Sequence, residues 1–336
     1  MNILDALQMY KIQYMITGIK DVNGLPVYTL TPSGYGATVS KLKSHMNDIQ
    51  IATGRRFKLE QTETGLYLTD ETDLYQYNKK DMYNWYDFNG YIDHYDPEIP
   101  FIVGFNEKGV ITDTIAKCPH MLIAGTTGSG KSVFLHTLIT TILCNQSNIC
   151  LALVDCKQVE FCHYEKLANV AYQATGSEKS AAAFTARFVE TMERRLTEMR
   201  LNGFNDYSEY YKYYPNEPRY ILIIDELSDM LESKQSKNII VPRLLRLAQK
   251  GRAAGIHVIL STQRPDATVI NGTLKGNLPT RLAFHTITKI DSRIILDQAG
   301  AETLRGRGDA LYIRNGQLTP ERIQAPYMTL EQIKSA

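Results

Sequence analysis

The chain has 336 residues, of which 43% are apolar and 22% are charged, a balance that is typical of a globular protein and argues against a disordered one. With 37 Lys and Arg against 36 Asp and Glu, the net charge is +1, so bulk charge cannot hold a polyanion. Such a partner needs a local basic patch or a loop that is repeated by symmetry. The length predicts about two domains.

The cysteines and the N-terminus point to the same compartment. The number of cysteines is odd, 5, and none has C-x-x-C spacing, so neither a disulfide framework nor a zinc site is predicted. The first residues, MNILDALQMY, have no basic region before a long apolar run, and no apolar stretch approaches the ~20 residues that span a bilayer. We expect a cytoplasmic protein with no secretory signal and no transmembrane segment.

Residues 1–72 are predicted to form a small α+β domain. Val39, Leu42, Met46 and Ile49 follow the three-and-four spacing of an amphipathic helix, which Gly54 is placed to end. The strand-like stretches around this helix are residues 12–16, 26–30, 57–59 and 66–68.

Residues 73–98 form an acidic, tyrosine-rich segment. From Glu63 to Glu98 the net charge is −7, and eight Tyr, Trp and Phe side chains lie within residues 75–95. Aromatic side chains can stack on single-stranded nucleic acid, but this negative charge would repel phosphate. We therefore interpret the segment as a linker whose aromatic side chains pack on a neighbouring domain or subunit.

Residues 99–336 alternate apolar strand patterns with helical patterns. The predicted strands are residues 121–124, 149–154, 220–224, 256–261 and 281–286. This alternation is typical of an α/β fold with a mostly parallel, doubly wound sheet that helices cover on both faces. The polar, tyrosine-rich segment from Asn205 to Tyr214 is predicted to be a surface connection.

A phosphate-binding loop follows the first of these strands. Its eight residues fit G-x-x-x-x-G-K-[ST] and open an apolar helix, and they are Gly125, Thr126, Thr127, Gly128, Ser129, Gly130, Lys131 and Ser132. The loop backbone, with Val133 behind it, is expected to cradle the phosphates of ATP. Lys131 would reach the β- and γ-phosphates, and the Ser132 hydroxyl would bind Mg²⁺.

Two acidic residues follow the apolar strand YILII. Asp225 would lie at the edge of the sheet beside the phosphate loop and hold the Mg²⁺, while Glu226 would polarise an attacking water as a general base. Taken alone, such a pair could also be a solvated strand end. The phosphate loop upstream favours the catalytic interpretation.

A basic block extends from Pro242 to Arg281, with a net charge of +6. The chain is therefore segregated in charge although its total is nearly neutral. Such a block is more often a solvated face than a nucleic-acid site. Its four glycines and Pro265 predict mobile loops rather than a flat helical surface.

Several long runs closely resemble the motor domain of the FtsK/SpoIIIE family, from about residue 99 to residue 333. They are HMLIAGTTGSGKS, ILIIDELSDM, RLAQKGRAAGIHVILSTQRPDATVINGTLKGNLPTRLAF and TKIDSRIILDQAGAETLRGRGDALYI. The resemblance implies a RecA-like P-loop NTPase core that works as an ATP-driven, ring-forming and usually hexameric translocase of double-stranded DNA.

The resemblance also implies roles for single residues. Gln263 would sense the γ-phosphate, and Arg252 would be the arginine finger that completes a neighbouring subunit's site, with Arg281 as second choice. Pore loops facing DNA would carry Arg264 and Lys275, and Lys289 and Arg293 are weaker candidates.

The sequence departs from the chromosome-segregating members of this family. We expect it to lack the N-terminal transmembrane block and the winged-helix module of those members, and Asp155-Cys156-Lys157 stands where D-P-K is usual. The front domain looks more like that of compact members from plasmids, conjugative elements and phages, so we expect a membrane or conjugation partner, where one exists, to bind there.

Two other functions stay open at this stage. The same superfamily includes ATPases of type VII protein export, and a nucleotide-dependent scaffold is a third interpretation. The basic block and the complete STQRP-to-NGTLKGN loop favour DNA over export. A scaffold would be expected to carry a degenerate site, whereas both nucleotide-binding motifs are complete.

Overall fold

The computed structural model describes residues 3–22, 25–34, 37–53, 55, 57–62, 64–70, 91–145, 147–174 and 177–335. The chain divides into two compact units, residues 1–82 and residues 83–336. Most of the predicted linker (residues 73–90) and Gly54 lie outside the described residues. Of the later linker residues, Ile92 is buried in the core of the second unit, whereas Tyr91 and Tyr95 are exposed.

The first unit is an α+β fold, as predicted. Its strands pair antiparallel in the order β1-β2-β4-β3. The bounds are α1 Ile3–Met9, β1 Tyr14–Val22, β2 Leu25–Pro32, α2 Val39–Ser44, α3 Met46–Thr53, β3 Phe57–Thr62 and β4 Gly65–Asp70. Leu42, Ile49 and Leu68 are fully buried in its core.

The single helix predicted over residues 39–49 is wrong in one respect, because the structure has two helices that meet at His45. Thr38 caps the first one with its side chain. His45 Nδ1 then lies 2.9 Å from the carbonyl oxygen of Lys41, a local side-chain bond that competes with the helical pattern. The first strand also begins at Tyr14 rather than at Ile12.

The second unit contains a ten-stranded sheet of order β6-β5-β14-β13-β12-β7-β11-β10-β8-β9. In this spatial order, β12, β7, β11, β10, β8 and β9 pair parallel with their neighbours. At the other end, β6, β5, β14 and β13 pair antiparallel, and β13 joins β12 in the same way. The bounds are β5 Pro100–Asn106, β6 Gly109–Thr114, β7 His120–Ala124, β8 Ile149–Asp155, β9 Val170–Ala174, β10 Arg219–Ile224, β11 Ile256–Thr262, β12 Thr280–Phe284, β13 Asp309–Ile313 and β14 Glu321–Gln324.

Helices cover both faces of this sheet, which confirms the predicted doubly wound α/β class. Along β7, Met121 and Ile123 join one apolar cluster while Leu122 and Ala124 join the other, as the two-residue period of a strand requires. The helices are α4 Lys131–Cys144, α5 Glu178–Asn202, α6 Tyr207–Tyr213, α7 Leu227–Met230, α8 Lys234–Lys250, α9 Gly272–Gly276, α10 Lys289–Leu296 and α11 Leu330–Ser335.

The predicted surface connection at residues 205–214 is wrong, because helix α6 occupies it and buries Tyr207 and Tyr210. These two side chains stand three residues apart and therefore share a helix face, which the polar residues between them obscured in the sequence. Asp206 caps the helix, and the guanidinium of Arg195 lies 5.5 Å from the centre of the Tyr207 ring.

The five cysteines, all within the described ranges, form no disulfide. Among the helices that the structure describes, none combines the length and the apolar character needed to cross a membrane.

Candidate functional site

The phosphate loop, residues 125–132, leads from the end of β7 into helix α4. Gly130 precedes the helix with a φ of 105°, which an L side chain rarely adopts, and a Cβ there would collide with the backbone of Gly308. The Ser129 hydroxyl is buried and has no hydrogen-bond partner among the described residues. A phosphate oxygen in this loop would satisfy it, so the loop fits a nucleotide.

Lys131 lies in the centre of the site, almost fully buried. Its ammonium donates to Ser261 Oγ at 2.8 Å, to the carbonyl oxygen of Asp225 at 3.0 Å and to Asp225 Oδ1 at 3.3 Å. Burial raises the pKa of Asp225, and the positive charge of Lys131 opposes that rise. All three ammonium protons therefore have partners that a nucleotide's phosphates can replace.

Glu226 is held as an acceptor on both carboxylate oxygens. Oε1 accepts from Ser228 Oγ at 2.5 Å and from Thr262 Oγ1 at 2.6 Å, and Oε2 accepts from the backbone N–H of Gln263 at 2.8 Å. These donors fix the direction of a carboxylate that is only 3% exposed. A fixed carboxylate at this position can accept a proton from water.

Gln263 connects this carboxylate to the phosphate loop. Its side-chain oxygen accepts a hydrogen bond of 2.8 Å from Thr127 Oγ1, across the end of β11. Beside it lies a cavity of about 310 Å³ whose lining includes Glu226, Gln263, Lys157 and Asp229. The predicted base and the predicted γ-phosphate sensor therefore border one space.

The donor set fits a magnesium ion. Ser132 and Asp225 supply the hydroxyl and carboxylate oxygens that Mg²⁺ prefers, and phosphates and water commonly complete such a shell. Ser132 Oγ also lies 3.4 Å from Glu160 Oε1. Asp155 shapes the loop that carries Glu160, because it accepts hydrogen bonds from the backbone N–H groups of Gln158 and Phe161.

Arg252 lies at the opposite edge of the sheet. It belongs to the turn of residues 251–254 before β11, whereas Gln263 follows the same strand. Seven strand residues separate the two ends by about 20 Å. The Arg252 side chain is exposed. Burial of His120, together with the positive charge of the nearby Arg252, lowers the pKa of His120 to about 3.

The predicted DNA contacts divide into two groups. Arg264, Lys289 and Arg293 are exposed. Lys275, in contrast, pairs with Asp297, with its ammonium 2.5 Å from Oδ1. Arg281, the second choice for the arginine finger, pairs with the same carboxylate, and each of the two basic side chains is only 15% exposed.

Several residues that lie at the site were not predicted from the sequence. Ser261 and Thr262 are the first two residues of STQRP, within which only Gln263 and Arg264 were assigned roles. Their position at the end of a parallel strand could have indicated them. Glu160 has no such local signal, because it reaches Ser132 only through the fold.

Comparison with known proteins gives a consistent result. The FtsK/SpoIIIE family matches residues 90–267. A protein named DNA translocase FtsK from Corynebacterium efficiens is 38% identical over 261 residues, which are 73% of this chain and 27% of that protein. The chain thus spans about a quarter of the length of that curated relative.

Two solved structures share the fold. One is described as the conjugation coupling protein TcpA of pCW3, with ATPγS; it covers 98% of this chain and 94% of its own, with a TM-score of 0.66 and 23% identity. The other is the cytoplasmic domain of the type VII secretion ATPase EccC of Thermomonospora curvata, which covers 71% of this chain and 30% of its own, with a TM-score of 0.61 and 23% identity.

Proposed function

The chain belongs to the FtsK/SpoIIIE family, and on that premise we propose that it hydrolyses ATP to move double-stranded DNA through the pore of a homo-oligomeric ring. The relative named DNA translocase supports DNA as the substrate. The loop, lysine and carboxylates of the site support ATP as the fuel, since phosphoryl transfer uses such groups to bind the phosphates and Mg²⁺ and to activate water.

Each residue of the site would have a separate role in hydrolysis. Lys131 would leave Asp225 and Ser261 to pair with the β- and γ-phosphates, and Ser132 and Asp225 would hold the Mg²⁺. The bound ion supplies charge neutralisation on the phosphates. Glu226 would accept the proton of the attacking water, and Gln263 would orient the terminal phosphate.

One observation supports a coupling between ATP hydrolysis and DNA binding. Gln263 accepts from Thr127 of the phosphate loop and donates its backbone N–H to Glu226, and the next residue, Arg264, is exposed on the loop proposed to face DNA. We expect a change at the γ-phosphate that moves the Gln263 backbone to shift Arg264 as well, because the two residues are adjacent in the chain.

The position of Arg252 supports a ring. Because Arg252 lies about 20 Å from its own phosphate loop, an arginine's reach is too short for it to complete that site. A neighbouring subunit's site is the one that it could complete, which requires subunits to meet head to tail. Six such subunits would surround the DNA with repeated Arg264, Lys289 and Arg293.

The test is the ATPase rate with and without double-stranded DNA, together with DNA affinity over a series of salt concentrations. We expect stimulation by DNA of any sequence and an affinity that falls steeply with salt. Replacing Arg264, Lys289 and Arg293 with Ala should flatten that salt dependence while light scattering reports an unchanged native size. A protein-export motor would show no response to DNA, and that result would overturn the proposal.

A further inference from the structure

A strained backbone lies directly against the phosphate loop. Arg307 has a φ of 55°, between Gly306 at 77° and Gly308 at 94°. An L residue in this left-handed region is strained because its Cβ crowds the backbone, whereas a glycine would avoid the strain. Such strain persists where the surroundings impose it, and it concentrates at ligand sites.

The turn formed by residues 306–308 contacts the phosphate loop. The backbone N–H of Arg307 donates to the carbonyl oxygen of Gly128 at 3.3 Å, and that of Gly308 donates to Ser129 at 2.7 Å. A Cβ on Gly130 would collide with the backbone of Gly308, so the two loops are in direct contact. The backbone of Arg307 is therefore one hydrogen bond away from the phosphate loop.

The turn is anchored on its other side by the antiparallel strands. Gln324 Nε2 donates to the carbonyl oxygen of Arg307 at 2.9 Å, and the Ala325 N–H donates to that of Gly308 at 2.7 Å. Asp309, 1% exposed, pairs with Arg305 at 2.9 Å and with Arg322 at 2.7 Å. These bonds on both sides explain how the strain at Arg307 is maintained.

The strand order decides which end of a nucleotide this turn faces. Asp225, Glu226 and Gln263 follow β10 and β11, on one side of β7, and they mark the γ-phosphate end. Arg307 precedes β13, which lies on the other side of β7, beyond β12. Its side chain is exposed and lies on the opposite side of β7 from the strands that lead to Glu226.

We propose that Arg307 is a further nucleotide-binding residue, whose guanidinium binds the α/β-diphosphate of the nucleotide that the same subunit holds. This inference rests on the proposed function only in so far as the phosphate loop binds ATP. A guanidinium matches two phosphate oxygens at once, and the diphosphate is common to ATP and ADP. Arg307 therefore sets the affinity for both nucleotides and takes no part in water activation.

The experiment measures equilibrium binding of fluorescent mant-ADP and mant-ATPγS to the full chain. Arg307→Gly and Arg307→Asn both remove the guanidinium with residues that accept a positive φ. Losing a charge-assisted hydrogen bond should weaken binding of both nucleotides by about 10- to 100-fold. Arg307→Lys should lie between these variants and the wild type, because it keeps the charge and loses the planar fork.

Two controls show whether a change in affinity comes from the Arg307 side chain itself. Arg200→Ala removes another exposed arginine, in the last turn of α5, and should bind both nucleotides as the wild type does. The thermal unfolding midpoint without nucleotide should be nearly unchanged in Arg307→Asn, which shows that the fold is intact.

Three results would overturn the assignment of Arg307. The first is unchanged affinity for both nucleotides in Arg307→Gly and Arg307→Asn. The second is a loss of affinity confined to mant-ATPγS, which would place the guanidinium on the γ-phosphate. The third is a wild-type protein that binds no nucleotide. A wild-type protein that binds nucleotide but ignores DNA would overturn the proposed motor and leave the Arg307 result standing.

Discussion

The hydroxyl of Thr262 donates to Glu226 Oε1 over 2.6 Å and accepts from the backbone N–H of Arg264 over 3.1 Å. A single buried hydroxyl therefore touches both the proposed general base and the backbone of the first proposed DNA contact. Since Thr262 is only 1% exposed, water cannot readily replace it in either bond. Movement of the loop at Arg264 must disturb the donor that orients Glu226.

Thr262→Val keeps the shape of the side chain and removes this hydroxyl. We expect the DNA-stimulated ATPase rate to fall by about 10-fold or more, because a misdirected base loses part of the 10²–10⁴ that general-base catalysis contributes. Thr262→Ser keeps the hydroxyl and should retain most of the rate. Steady-state turnover with and without DNA measures both, and equal rates in Thr262→Val and the wild type would contradict the role.

Lys131→Ala and Glu226→Gln should fail at different steps. Lys131→Ala removes the charge that pairs with the phosphates, so hydrolysis stops and ATP affinity drops sharply. It also leaves Asp225 buried without its cation, which should lower the free energy of unfolding by about 3 kcal/mol or more in the absence of nucleotide. Titration with mant-ATP and chemical denaturation measure the two effects.

Glu226→Gln should bind ATP normally and turn over about 10²–10⁴ times more slowly, because the amide cannot accept the proton of water while Asp225 and Ser132 are untouched. Single-turnover hydrolysis is the measurement. A Glu226→Gln protein that hydrolyses ATP at the wild-type rate would show that another group is the base.

Arg252→Ala should bind nucleotide as the wild type does and lose roughly 10³ in turnover, because we propose that the guanidinium of Arg252 acts on the site of a neighbouring subunit. Mixing it with Lys131→Ala subunits should restore some activity, since one interface can then pair an intact Lys131 with an intact Arg252. Activity is measured over a range of mixing ratios. Rings shown by light scattering to be mixed and yet inactive would contradict action across the interface.

Asp297→Asn should strengthen DNA binding. Asp297 pairs with both Lys275 and Arg281, and asparagine tolerates its φ of 64°. Freeing two cations should steepen the slope of log affinity against log salt by about 1 to 2. Asp206→Asn is the control, because it also removes one negative charge but keeps a good cap on α6. Equal slopes in both variants would place Lys275 and Arg281 outside the DNA-binding surface.

Asp309 should make stability depend on pH in the acid range. Burial opposes ionisation, but Arg322 and Arg305 hold the pKa of Asp309 below its ordinary value of 3.8. Since the folded pKa is the lower one, this stabilisation is present above about pH 4 and is lost as the pH falls through the folded pKa. Asp309→Asn should therefore lower the free energy of unfolding by about 3 kcal/mol at pH 7.

Denaturant unfolding of the wild type and of Asp309→Asn at pH 7 and at pH 3 checks this dependence. The difference between the two proteins should shrink at the lower pH. A difference that is constant over this range would mean that the carboxylate's charge is not what stabilises the turn at residues 305–309.

Much of the fold could be predicted because its signals are local. The central parallel strands, the loop at residues 125–132 and the carboxylates after β10 each depend on a short run of neighbouring residues. The antiparallel strands β5, β6, β13 and β14 and the short strand β9 were not predicted. Only the pairing of β14 with β5, at Gln324 and Phe105, joins segments so far apart that no local pattern could indicate it.

The sequence alone determined which residues could bind phosphate, magnesium and water, because those functions require particular side chains at fixed spacing along one loop and two strand ends. The tertiary structure decided which partners the side chains in and around the site have. Only the folded chain pairs Lys275 and Arg281 with Asp297, brings Glu160 to Ser132 and sets Arg307 against Gly128. Each of these contacts joins residues more than fifteen positions apart, and their distance in space depends on how strands and helices pack rather than on any pattern of neighbouring residues.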